Sequence, residues 1–204
     1  MKPLFLDLPV PITTPRLILR PPQVGDGAII NEAVLESLNE LVRFSPWAAE
    51  KQTLEFSEEF ARLAAANWIL KKNEEPWLPL LIFDKQTGQF IGGTGFHTIE
   101  WEVPRLEIGY WIRTSRSGEG LMTEAVNAQT QYAIKQLNMR RIEIRCDIIN
   151  LRSKKIPERL GYHLESVMKA SRVEPVTGKI SDTLVYVKHD LIGLPELEVT
   201  WPGK

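Results

Sequence analysis

The sequence predicts a single α+β domain, and three observations carry that prediction. At 204 residues the chain is long enough for one substantial core and short for two. Short β-branched or leucine-rich runs bounded by Pro, Gly and Asp recur along it, as strands do. Between them, apolar residues spaced three and four apart mark amphipathic helices. In the second half a strand, a helix and another strand follow one another as a βαβ-like unit.

The first strand is Pro15 to Arg20, left through Pro21-Pro22. From Gly25, Ala28, Ile29, Val34, Leu35, Leu38, Leu41 and Val42 recur at helical spacing, and Leu54, Phe56, Phe60, Leu63 and Ala64 repeat the pattern. These two helices are separated near Ser45-Pro46-Trp47. Residues 31 to 60 hold seven acidic and two basic side chains, so this face reads as locally negative. Strands follow at Trp77 to Phe83, Phe90 to His97 and Leu106 to Ile112, the first pair joined by the turn Asp84 to Gly88. Residues 121 to 137 carry a broad apolar stripe without internal Gly or Pro, the clearest helix in the chain. Arg141 to Cys146 alternates as a strand with one wet face, and residues 151 to 160 form a short helix ending at Gly161. Further strands lie near Tyr162 to Ala170 and Thr183 to Lys188. The domain is expected over residues 1–189, with an aperiodic C-terminal tail over 190–204.

Composition narrows the function. With 25 Lys plus Arg against 26 Asp plus Glu, the chain has no global field to hold nucleic acid or an anionic membrane. The lone cysteine, Cys146, excludes an internal disulfide, and the three histidines lack metal-ligand spacing, so no metal is expected. The apolar start, Met1 to Val10, is broken by Asp7, Pro3 and Pro9 and followed by Pro11, unlike a signal peptide, and no run approaches the ~20 apolar residues of a membrane span. A cytoplasmic location is expected.

The most informative window is Gly109 to Ala125, GYWIRTSRSGEGLMTEA, where a strand passes through a Gly-containing loop into the best helix. Such a loop presents backbone N–H groups and the positive end of a helix dipole, an anion cradle, with Arg113 and Arg116 close by. The competing reading is that Gly118 and Gly120 merely turn the chain. Two other phosphate loops are excluded, since position 123 is Thr where a dinucleotide fingerprint needs Gly, and Gly120 is followed by Leu121 where a Walker loop needs Lys.

This window resembles the acetyl-CoA loop of the GNAT superfamily of N-acetyltransferases, Q/R-x-x-G-x-G/A, at Ser117-Gly118-Glu119-Gly120-Leu121-Met122. Ser117 replaces the opening Gln/Arg, and Met122 replaces the last small residue. The segments TTPRLILRPPQVGDG, LEIGYW, TEA, RIEIRCDIIN and the closing N-x-x-S with ERLGY resemble the branch that acetylates N-termini of ribosomal proteins. The resemblance implies a mixed, mostly antiparallel sheet splayed between the strands at 106 to 112 and 141 to 146, with helices on both faces. The pantetheine arm of acetyl-CoA would enter the gap, pairing with backbone around Trp111 and Ile112. The pyrophosphate would rest on the N–H groups from Gly118 to Thr123, and Asn150 would bond the cofactor near its pantetheine end. The basic set Arg152, Lys154, Lys155 and Arg159 suits either a phosphorylated ligand or a solvated helix face.

In this family an amine attacks the thioester directly, so a neutral amine, oxyanion stabilisation and a protonated leaving thiolate are required. The N–H near Ile112 is the natural oxyanion donor. Glu107 is the candidate base, Glu143 an alternative. Many members place an acidic Tyr where this chain has Pro157, which makes Ser153 the replacement candidate; helix capping is the competing role for both Asn150 and Ser153. Some relatives use a carboxylate after the strand following Gly161, but Lys169-Ala170-Ser171-Arg172 has none. Cys146 reads as core, His97 as a strand-end residue or a wall of the acceptor groove, and Trp47 as core or lid. The expected acceptor is a cationic protein N-terminus, with a polyamine or aminoglycoside as alternative, and a non-catalytic acyl-CoA-binding module as a different class. A homodimer is left open.

Overall fold

The structure, a computed structural model, describes residues 3–71 and 77–203. Met1 and Lys2, at the start of the expected domain, and Lys204, at the end of the expected tail, lie outside it. The elements run β1 (Ile12–Thr13), β2 (Leu17–Arg20), α1 (Gly27–Leu41), α2 (Leu54–Leu70), β3 (Leu78–Asp84), β4 (Phe90–Glu100) and β5 (Arg105–Ile112). They continue with α3 (Leu121–Lys135), β6 (Arg141–Asp147), α4 (Leu151–Arg159), β7 (His163–Val173) and β8 (Ile180–Lys188).

The strands form one sheet in the order β1-β2-β3-β4-β5-β6-β8-β7. Neighbours are antiparallel except β5 and β6, which pair in parallel over Arg105–Glu107 and Arg141–Glu143 and then part. Because β4 and β8 hold the outer edges of the two strands through Ile112 and Asp147, the gap between them persists as an opening in an otherwise continuous sheet. The splayed, mostly antiparallel sheet matches the expected fold class.

Period-two alternation along β5 divides its side chains. Leu106, Ile108, Tyr110 and Ile112 join the larger core with Leu121, Ala125, Ala128 and Tyr132 of α3. Trp111 instead packs with the cluster of Ile30, Ala33, Val34 and Ala61 from α1 and α2. Glu107 and Gly109 share the Trp111 face, so the two layers of helices enclose the opening from opposite sides.

Two features go beyond the sequence expectation. β1 is only two residues long, too short for periodicity to reveal, and a bridge from Thr13 to Thr200 secures it. The last strand in sequence lies inside its predecessor: Leu184 to Val187 are buried, while β7 is exposed almost throughout. Residues beyond 190 return along α3, where Asn127 donates to the Pro195 carbonyl at 2.9 Å and Trp201 meets Tyr132 edge-on at 5.2 Å.

Candidate functional site

Between β5 and α3 the chain makes a short 3-10 turn, Thr114–Arg116, and two left-handed glycines, Gly118 (φ 91°) and Gly120 (φ 77°). A Cβ at Gly118 would meet nothing within 4 Å, so backbone conformation rather than crowding calls for glycine there. Among the described residues, the backbone N–H groups of Gly118, Glu119, Gly120, Leu121, Met122 and Thr123 have no protein acceptor. Gly120 is the N-cap of α3 and makes no side-chain cap, so this run of donors converges at the positive end of the helix.

The arginines near this loop do not add free charge to it. Arg113 is buried and bonded to Glu36 (2.8 Å) and Glu32 (2.8 Å) of α1. Ser115 N–H donates to Glu36 and Thr114 N–H to Ser37, both at 2.9 Å. The hydrogen bond from Arg113, with Ser115 helping against a burial penalty, lowers the Glu36 pKa to about 2. Arg116 pairs with Glu119 at 2.9 Å and Asp84 at 3.0 Å. The cation left at the cradle is Arg16, which sequence reasoning did not single out. Its Nε bonds Glu124 (2.6 Å) and its Nη1 donates to the Glu119 carbonyl (3.2 Å). Its Nη2, without a partner among the described residues, lies 3.8 Å from where a Gly120 Cβ would be. Four of the seven carboxylates on the acidic N-terminal face are likewise engaged: besides Glu32 and Glu36, Glu58 receives the Gly25 and Gly27 N–H groups and Arg62, and Glu40 faces Arg152 at 3.7 Å.

At the opening, Arg113 N–H donates to the Ile91 carbonyl, so the antiparallel alternation turns odd-numbered β5 backbone groups toward β4. This corrects the expectation for Trp111, whose backbone faces Gly93, while Ile108, Tyr110 and Ile112 present theirs to the opening. The Trp111 ring instead packs 5.8 Å from Phe90 and 6.1 Å from the half-exposed Trp47 in the turn between α1 and α2.

Glu107 sits at the last paired register before the opening, beside Glu143 on β6 and opposite His97 on β4. Burial raises the Glu107 pKa, Glu143 adds to the effect, and Arg145 at 3.5 Å opposes it. Glu143 differs: burial pushes its pKa up, but Arg141 (2.7 Å) and Arg145 (2.7 Å) outweigh that and hold it low. Glu107 is therefore the less committed carboxylate and Glu143 the poorer base. The His97 imidazole lies over Gly109, where a Cβ would stand 2.9 Å from Nε2, and burial lowers its pKa to about 4. His97 thus lines the groove as a neutral ring, near Trp77 at 6.3 Å.

On the other face, Asn150 caps α4, its Oδ1 accepting from Ser153 N–H at 3.1 Å. The Ser153 side chain is not a cap. Its Oγ donates to the Tyr110 hydroxyl at 3.2 Å, and burial raises the neighbouring Cys146 thiol to about 11, with the Ser153 hydroxyl acting against that rise. The 169–172 stretch bulges around Asp182 and sends Arg172 to the Phe44 carbonyl at 3.0 Å. Of the expected residues, the structure gathers Ser117 to Thr123 into the cradle, and brings Glu107, Ile112 and Ser153 to the two faces of the opening.

An unpaired donor loop at a helix start beside a parted β5 and β6 is the arrangement the sequence resemblance anticipated. The acetyltransferase (GNAT) domain profile matches residues 16–163. The chain belongs to the GNAT acetyltransferase family.

Among its relatives, "Putative ribosomal N-acetyltransferase YdaF" of Bacillus subtilis (strain 168) is 31% identical over 127 residues, 61% of each chain. Ribosomal-protein-serine acetyltransferase of Escherichia coli (strain K12) is 32% identical over 81 residues, covering 40% of this chain and 45% of that one. The match therefore spans about three fifths of YdaF and less than half of the serine acetyltransferase. Among solved structures, the RimL ribosomal L7/L12 alpha-N-protein acetyltransferase in complex with coenzyme A aligns with a TM-score of 0.77 at 22% identity, over 87% of this chain and 96% of that one. RimJ of Mycobacterium smegmatis in complex with CoA-disulfide aligns with a TM-score of 0.78 at 21% identity, over 92% and 90%. These structural likenesses establish the fold. Among the described residues no helix is long and apolar enough to cross a membrane.

Proposed function

We propose that this GNAT chain is an enzyme that moves an acetyl group from acetyl-CoA to the N-terminal amine of a protein, in the cytoplasm. The observation that carries the cofactor assignment is the run of unaccepted N–H groups from Gly118 to Thr123, which suits a pyrophosphate. Arg16 Nη2 adds a charged donor beside them. The pantetheine arm follows the open edge of β5, its amides meeting Tyr110 and Ile112 backbone groups as an added strand would. Asn150 serves this assembly by fixing the start of α4. The names of the sequence relatives support a ribosomal-protein acceptor.

The amine approaches from the face carrying Glu107, Gly109 and His97, and attacks the thioester carbonyl at the opening. Glu107, in its ionised form, takes the ammonium proton directly or through water. An α-amino group titrates near ~8 against ~10.4 for lysine, so a modest base suffices. The Ile112 N–H receives the oxyanion; as the C–S bond breaks, the proton shed by the attacking nitrogen goes to the thiolate, and Ser153 on the opposite face, turning its hydroxyl from Tyr110 to the sulfur, orients the leaving group and relays that proton. With Glu32, Glu36, Glu40 and Glu58 already paired, local contacts at the groove, more than a broad negative field, set the acceptor preference.

Incubation with acetyl-CoA and a basic peptide, free or blocked at its N-terminus, tests the reading by mass spectrometry. One acetyl group on the free peptide alone is expected. CoA binding without acetylation across peptides, polyamines and aminoglycosides would leave an acyl-CoA-binding module and overturn the enzymatic proposal.

A further inference from the structure

We propose that Tyr110 is a positioning residue for Ser153, its hydroxyl holding the serine backbone and side chain in one arrangement across the opening of the sheet. The inference rests on the reading of Ser153 as the group that meets the cofactor sulfur. It begins with Pro157. The α4 helix continues through this proline to Arg159, and proline has no N–H to donate four residues back, so the Ser153 carbonyl lacks its helical partner. The Tyr110 hydroxyl fills that place from β5, donating to the Ser153 carbonyl at 3.1 Å. Having spent its proton there, the phenol oxygen offers only lone pairs, and Ser153 Oγ donates to one of them at 3.2 Å.

One hydroxyl therefore fixes two atoms of one residue: the carbonyl sets where this turn of α4 lies, and the Oγ contact selects a side-chain rotamer. The tie links the two sides of the opening beyond Glu107 and Glu143, where no backbone pairing joins β5 to β6. Burial raises the Tyr110 pKa, which keeps the phenol protonated and able to donate at any working pH. The Cys146 thiol, protonated for the same reason, is close enough for the Ser153 hydroxyl to influence it, so without Tyr110 the serine has a competing orientation available. Pro157 thus leaves a gap in the bonding of α4, and a tyrosine on the facing strand fills it.

The test is Tyr110→Phe, which removes only the hydroxyl, measured beside Ser153→Ala and the double variant. In crystal structures, Ser153 Oγ is expected in one rotamer in the wild-type protein and in more than one in Tyr110→Phe; a single unchanged rotamer in both overturns the proposal whatever the activity. In turnover, each single variant is expected to lower kcat roughly 5- to 10-fold with the CoA dissociation constant little changed, and the double variant to be no slower than Ser153→Ala. Tyr110→Phe with wild-type kcat beside an impaired Ser153→Ala also overturns the positioning role. Wild-type kcat in Ser153→Ala, with the rotamer freed in Tyr110→Phe, overturns instead the reading of Ser153 as a catalytic group and leaves the structural tie standing.

Discussion

The cradle at 113–123 and the opening between β5 and β6 are built on opposite electrostatic plans. In the cradle almost every charged side chain is already matched: Arg113 by Glu32 and Glu36, Arg116 by Glu119 and Asp84, Arg16 in part by Glu124. What remains unmatched is backbone. At the opening the backbone is likewise unpaired, and the side chains are less fully matched: Glu107 is held above its ordinary pKa despite an arginine at 3.5 Å that it shares with Glu143, and His97 is held neutral. On the proposed function, the loop's arginines shape the cradle without themselves meeting the ligand, whereas the reacting groups stand where side-chain partners are fewer.

Gly120→Asp acts on the cradle directly. The carboxylate would lie among the free N–H groups and beside Arg16 Nη2, filling the cradle from within, and the left-handed φ of 77° adds modest strain. Hydrogen bonds to charged groups contribute about 1.5–3 kcal/mol each, so displacing two lowers CoA affinity by roughly 100-fold or more while the domain stays folded. Calorimetry showing wild-type affinity would remove the backbone cradle from the account. At the opening, Glu107→Gln should lower turnover by roughly 10² at neutral pH, with partial recovery in alkali where free amine is abundant. The sign follows from the raised pKa: wild-type activity rises with pH as Glu107 ionises, on a limb displaced above the usual carboxylate range, and the Gln variant lacks that limb. If the limb survives in the variant, the base is another group.

What the sequence made legible was local. The apolar stripe at 121–137, the Gly-containing loop before it and the strand LEIGYW are contiguous patterns, and the structure places them as expected. Partners were not legible, because they come from distant positions: Arg113 meets Glu36 across 77 residues and Arg16 meets Glu124 across 108. Composition showed an acidic helix and basic loop residues, and nothing local said that they neutralise one another. Tyr110 was hidden for the same reason; the missing N–H of Pro157 exposed a need at Ser153, but not the strand that meets it. The placement of β8 inside β7 did leave a signal, since Leu184-Val185-Tyr186-Val187 is a continuous apolar run of the kind covered on both faces.

The smallest expected effect tests the cradle's hidden frame. Arg113→Met keeps much of the buried side-chain volume but removes the charge that joins α1 to the loop through Glu36 and Glu32. If these pairs only shape the loop, CoA affinity should fall several-fold through looser N–H geometry, while kcat at saturating acetyl-CoA is unchanged. The same variant carries a pH signature. Glu36 titrates near 2 in the folded protein against 4.5 unperturbed, so its contribution to stability is full above about 4.5 and is lost as pH falls toward 2. Removing Arg113, the largest cause of that shift, should flatten this part of the stability curve. Acid denaturation of the two proteins followed by circular dichroism, paired with CoA titration, separates the outcomes. A flattened acid slope with several-fold weaker CoA supports a frame, whereas a loss of affinity as large as that of Gly120→Asp would mean that Arg113 leaves its ion pair and binds phosphate directly.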